Sequence, residues 1–139
     1  GMARTGYFTL DEWNEFCKPY DLIAMEPIAD LPNLVHTCGI YGNPERFTDY
    51  PCRVIHWAAS APGNPPMKGS SEWLKGKIAM GGCDERPFGQ NKADVIDEMC
   101  RITLTEMKGT PFLMAPECSV SPNVLDSELR AFRESVEKY

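Results

Sequence analysis

No stretch of this chain approaches the roughly 18 consecutive apolar residues that a membrane-crossing helix needs, which sets a membrane role aside. Basic residues are in short supply. Fourteen Lys and Arg stand against twenty Asp and Glu, for a formal net charge of −6. A nucleic-acid surface, which neutralises phosphates with a basic face, is therefore not expected. The opening residues lack the charged-then-apolar pattern of a secretory leader, and there is no internal repeat or low-complexity tract. The six cysteines then read as free thiols of a cytoplasmic protein, because a chain of 139 residues is long enough for a core without disulfide staples. Gly1 ahead of Met2 reads as a tag-cleavage remnant, and residues 2–139 as one domain.

What is present is an alternation of short apolar runs and helical patterns. A Thr-x-x-Glu capping box at Thr9 and Glu12, followed by Trp13, Phe16, Cys17, Tyr20 and Ile23 at helical spacing, predicts a helix over about 10–29, interrupted by Pro19 and Pro27. "LPNLVHTCG" reads as a strand, "NPERFTDY" as a short helical turn and "CRVIHWAA" as a second strand. "SAPGNPPMKGS" is a loop by composition, "SEWLKG" a short helix ended by Gly76, and "KIAMGG" a third strand. After the loop "ERPFGQ", Asn91 is a plausible N-cap for a helix whose stripe is Val95, Ile96, Met99, Ile102 and Met107 and which stops at Gly109. "PFLMAPECS" is a fourth strand, and "LDSELRAFRESVEKY" a closing amphipathic helix. Continuous apolar strands that alternate with helices predict an α/β protein with a parallel sheet and its helices outside.

Ligands of parallel α/β sheets sit at the carboxyl ends of the strands. Those ends read His36-Thr37-Cys38-Gly39, His56-Trp57, Gly81-Gly82-Cys83-Asp84 and Pro116-Glu117-Cys118-Ser119. Residues i and i+2 of a strand share a face, so the His36 imidazole and the Cys38 sulfur project together and offer half of a metal site. Two buried residues without chemistry would give the same letters. Cys83 is a competing ligand, and His56, inside an apolar strand, reads as structural. Gly81 and Gly82 either admit a ligand close to the backbone or end a strand. Asp84 reads as a polar site residue or a helix cap, and Tyr41 and Asn43 as residues of the mouth or of a surface loop. Glu117 alternates away from the Cys118 face and is set aside.

The segments "FCKPYD", "LVHTCG", "YPCRVIHW", "KIAMGGCDER" and "FLMAPECSVSPN", in this order and spacing, resemble the C-terminal half of the uroporphyrinogen decarboxylase superfamily. They lie closest to its zinc-dependent corrinoid:thiol branch, of the methylcobamide:coenzyme M methyltransferase type. The resemblance implies about half of a TIM-type (β/α)8 barrel, four strands with flanking helices. It also implies zinc held by His36, Cys38 and Cys118, a corrinoid as methyl donor, and a small thiol as acceptor. Independently of the resemblance, their place at the strand ends makes Asp84 the expected catalytic polar residue and puts Tyr41, Gly81 and Gly82 at the substrate. A corrinoid protein or a small-molecule thiol would be the partner in the reaction. Two other readings follow from the same likeness: a metal-free relative of the decarboxylase of porphyrin biosynthesis, and a non-catalytic fragment that folds by dimerising. Half a barrel exposes two sheet edges and an apolar inner face, which predicts a homodimer.

Overall fold

The computed structural model describes residues 2–139; Gly1, read as a tag remnant, lies outside the described residues. The chain opens with helices α1 (Leu10–Phe16) and α2 (Lys18–Met25), followed by a 3₁₀ turn over Glu26–Ile28. The capping box forms as the sequence predicts: the Glu12 amide donates to Thr9 Oγ1 at 3.2 Å and the Thr9 amide to Glu12 Oε2 at 2.8 Å. One continuous helix over 10–29 does not form. Pro19 lacks an amide proton and would clash with the preceding turn, so α1 ends and α2 restarts with Pro19 in its first turn.

Four strands follow: β1 (Leu34–Thr37), β2 (Val54–Trp57), β3 (Ile78–Cys83) and β4 (Phe112–Pro116). They form one sheet in the order β1-β2-β3-β4, every pair parallel. Sequential order without reversal is the arrangement of consecutive barrel strands, whereas doubly wound sheets reverse order at a switch point. The α/β half-barrel expected from the sequence is the architecture observed. Helix α3 (Ala93–Glu106) follows β3, and α4 (Asp126–Lys138) follows β4. No helix among the described residues is long and apolar enough to cross a membrane.

The strand–helix alternation is complete only after β3 and β4. Between β1 and β2 there is a 3₁₀ turn over Pro44–Phe47, and between β2 and β3 one over Ser70–Glu72. Large side chains from these irregular segments, together with Trp13 of α1, replace the missing helices. Trp13, Phe47, Tyr50, Met67 and Leu74 join Ile55, Trp57 and Ala79 in the main core. A second core of Cys83, Phe88, Ile96 and Cys100 lies under α3 and α4.

Helix α3 departs from its predicted details. Val95 and Ile102 are 40% and 44% exposed, while Ile96, Cys100 and Met107 are buried, so the packed stripe is rotated from the one expected. The expected cap Asn91 sits in the left-handed region at φ 57° and does not cap. The amides of Gly89, Gln90 and Lys92 instead donate to the carboxylate of Glu128 on α4, at 2.8, 3.2 and 3.1 Å. The same carboxylate accepts from its own helix at the Leu125 amide, at 2.9 Å.

Register sorts the two sheet faces. Leu34, Val54 and Ile78 are in line, as are His36, His56, Met80 and Leu113. On this inner face Leu34, Ile78 and Leu113 are 49%, 38% and 46% exposed. The opposite face, with Ile55, Trp57, Ala79 and Cys83, is buried.

Candidate metal centre

Strand β1 aims His36 at the inner face, and the chain leaves the strand at Thr37, just before Cys38. At the far edge, β4 ends at Pro116, two residues before Cys118. The Cys38 and Cys118 sulfurs are 3.4 Å apart, and the Cys118 sulfur is 3.8 Å from His36 Nε2. All three donor atoms lie within 4.8 Å of one another. Bond lengths of about 2.3 Å to sulfur and 2.0–2.1 Å to nitrogen, at tetrahedral angles, place two sulfurs about 3.8 Å apart and a sulfur about 3.5 Å from a nitrogen. The three donors therefore form a group that could hold a metal ion.

The surroundings act on the donors in different directions. Burial, then the neighbouring His56, push the His36 pKa down and favour the neutral ring that can ligate. The two imidazole rings lie 4.5 Å apart, centre to centre, and His56 Nε2 is 2.8 Å from the Pro116 carbonyl oxygen. An imidazole proton on that nitrogen ties β2 to the end of β4 just ahead of Cys118. The Cys38 thiol is pushed up by its hydrogen bond with Cys118 and then by burial; a bound cation would reverse that preference.

Two polar clamps fix the loops around the sulfurs. Asn64 accepts from the Gly42 amide at 2.6 Å and donates to the carbonyls of Gly39 and Ala58 at 2.9 and 2.7 Å. It thereby ties the segment after Cys38 to the segment after β2. The Glu117 carboxylate, 2% exposed, accepts from the Ser60 amide at 3.0 and 3.1 Å and from the Ser60 hydroxyl at 2.5 Å. Burial raises the pKa of Glu117, against these two Ser60 contacts, which lower it. Neither residue was singled out from the sequence as part of the site. A carboxylate alone in the apolar run "FLMAPECS" was the available signal for Glu117.

Beside the two sulfurs lies a cavity of about 190 Å³ whose wall includes Ser60, Asp84, Glu85, Arg86 and Glu117. Asp84 is thus brought to the site. Burial raises its pKa, but Arg86 outweighs that and holds the carboxyl below its usual value, through contacts of 2.8 and 2.9 Å from Nε and 2.5 Å from Nη2. Tyr41 does not line this cavity; its ring covers Gly63, where an added Cβ would fall 2.0 Å from Cδ1. Gly82 lines a neighbouring cavity with Ser60, Asp84 and Glu117, and neither Gly81 nor Gly82 has room for a side chain. A Cβ on Gly81 would lie 2.9 Å from the Trp57 carbonyl, and one on Gly82 2.5 Å from Thr103 Cγ2. Cys83 is fully buried with its sulfur 3.9 Å from that of Cys100, in the helix layer and away from the inner face.

Four parallel strands in sequential order, with a His/Cys/Cys cluster that could bind a metal at their carboxyl ends, define an α/β protein of partial-barrel type. Among solved structures, a methyltransferase from Methanosarcina mazei is similar to it, with a TM-score of 0.73 at 14% identity. The match covers 99% of this chain and 40% of that chain, so the present sequence spans well under half the length of its neighbour. At that identity the likeness shows the fold alone. No family model matches the chain, and no curated protein does.

Proposed function

We propose that this chain is the metal-binding part of a methyltransferase of the zinc-dependent corrinoid:thiol type, within the uroporphyrinogen decarboxylase superfamily. The observation that carries the reading is the convergence of His36, Cys38 and Cys118 within 4.8 Å, a donor set and spacing suited to a three-ligand catalytic zinc with one open position. A zinc ion bound there supplies Lewis acidity that lowers the pKa of an incoming thiol, the nucleophile for a methyl group carried by a corrinoid.

The protein's own residues do the rest. His36, kept neutral, and the two cysteines offer one nitrogen and two sulfurs. Asn64 and Glu117 hold the loops that carry the cysteines. The cavity beside the sulfurs receives the thiol's tail, with Asp84 in its wall as the polar contact; we assign Tyr41, Gly81 and Gly82 to the supporting frame. The metal-free decarboxylase reading has no comparable observation in its favour, since a His/Cys/Cys cluster has no task in it.

Metal analysis of tag-free protein tests the reading. About one zinc per chain is expected, lost in Cys118→Ser and His36→Ala. Methyl transfer from methylcobalamin to 2-mercaptoethanol should follow the zinc content. Wild-type protein that stays metal-free after exposure to excess zinc would overturn the assignment.

A further inference from the structure

We propose that Cys38 and Cys118 also form a thiol–disulfide exchange site that takes a low-molecular-weight disulfide. Their sulfurs are 3.4 Å apart, and both cysteines are free, Cys38 exposed and Cys118 half-buried. A disulfide requires about 2.05 Å between sulfurs, so the pair must close by a little over 1 Å. Both residues lie beyond the last residues of their strands, Thr37 and Pro116, so that movement breaks no ladder hydrogen bond. The cavity of about 190 Å³ that both cysteines line gives a small disulfide access. The other close pair, Cys83 and Cys100, has its sulfurs 3.9 Å apart but is wholly buried, out of reach of any solute.

The exposed Cys38 thiolate attacks one sulfur of the disulfide RSSR. The S–S bond breaks, a Cys38–S–SR mixed disulfide forms, and one RS⁻ leaves. The Cys118 thiolate then attacks the Cys38 sulfur and expels the second RS⁻. The two protons given up by the cysteines end on the two RS⁻ groups. In sum, two cysteine thiols and RSSR become the Cys38–Cys118 disulfide and two RSH: the protein is oxidised by two electrons and the small disulfide reduced. The oxidised pair offers no thiolate to a metal, so exchange and metal loading exclude each other.

The test uses metal-free full chain in a Cys17→Ser background, since Cys17 is the remaining accessible thiol, with 2-hydroxyethyl disulfide as the probe. The expected product is a single denatured chain lighter by two hydrogen atoms, without adduct, whose peptide map joins Cys38 to Cys118. Cys38→Ser or Cys118→Ser should instead retain a single mercaptoethanol adduct, while Cys83 and Cys100 stay reduced. Preloading with zinc should slow the reaction at least tenfold. Two persistent adducts on the parent protein, or a disulfide only between chains, would overturn the proposal. If the internal disulfide forms at the same rate with excess zinc, the exchange site stands and the zinc reading falls; zinc uptake without an internal disulfide gives the reverse.

Discussion

The sulfurs of Cys38 and Cys118 lie 3.4 Å apart, although each follows one of the two outermost strands of the sheet. In a flat sheet three inter-strand gaps would separate them by roughly 14 Å. The carboxyl ends of the strands must therefore curve toward one another, as in the wall of a barrel, and the loops complete the approach. A metal held by both cysteines would link the two edges of the sheet and so act on the whole fold. Zinc at a hundred times its dissociation constant should stabilise the protein by about 2.7 kcal/mol, raising Tm by roughly 10 °C. Differential scanning calorimetry with zinc and then with excess chelator reads this directly. Cys118→Ser should remove the zinc-dependent part; an unchanged response in that variant would exclude Cys118 as a ligand.

Asn64 carries more than its own loop. Truncation in Asn64→Ala leaves the buried Gly42 amide and the carbonyls of Gly39 and Ala58 without their partners at 2.6, 2.9 and 2.7 Å. Loss of these bonds should cost about 2–4 kcal/mol in urea denaturation. Because Gly39 follows Cys38 directly, zinc affinity should also fall by roughly tenfold or more, as for other residues that orient a ligand. Asn64→Asp keeps the acceptor for Gly42 but loses both donors, and should fall between the two. Equal zinc affinity in all three proteins would confine Asn64 to stability alone.

The His-x-Cys pair was legible because it stands where an apolar run ends, although Cys38 lies one residue past β1, and the order of the strands was legible because each apolar run is short and continuous. Cys83 illustrates how register decides between similar signals. It alternates with Ala79 and Gly81 on the covered face, whereas His36 lies in line with His56 and Met80 on the open one. Glu117 escaped detection because strand alternation no longer applies once the chain leaves β4 at Pro116. Two crossover helices were never there to be read. Phe47, Tyr50 and Met67 fill their place from segments with no periodicity. The cap of α3 could not be read locally either, since its acceptor comes from Glu128, 36 residues beyond Lys92.

That carboxylate makes stability depend on pH in a defined direction. The Leu125 amide, with those of Gly89, Lys92 and Gln90, holds the Glu128 pKa down to about 2, against the effect of burial. A pKa lowered in the folded state contributes stability that is fully present above the unfolded value near 4.5 and is lost as pH falls through about 2. Glu128→Gln should lower Tm at pH 7 by at least roughly 5 °C, with a gap to wild type that narrows steadily between pH 4.5 and pH 2. Thermal unfolding of both proteins across that range gives the answer; a constant gap would mean that ionisation of Glu128 is not the source.

The inner face of the sheet sets the last expectation, a homodimer. Leu34, Ile78 and Leu113, on one sheet face by register, are 49%, 38% and 46% exposed, and β1 and β4 each have one unpaired side among the described residues. A second copy related by a two-fold axis along the strands would pair β4 of each protomer with β1 of its partner, in parallel, and bury both apolar faces together. An interface of that kind exceeds about 2,000 Å² in total. Sedimentation equilibrium at micromolar concentration should therefore give twice the chain mass. Leu113→Asp places an unpaired charge in the middle of the buried face and should shift the protein to monomers, whereas Leu113→Ala should weaken the dimer by only about 1.5–3 kcal/mol. A wild-type chain that sediments as a well-folded monomer at one micromolar would show that the face is stable in water, and would leave the site's closed geometry to the sheet's own curvature.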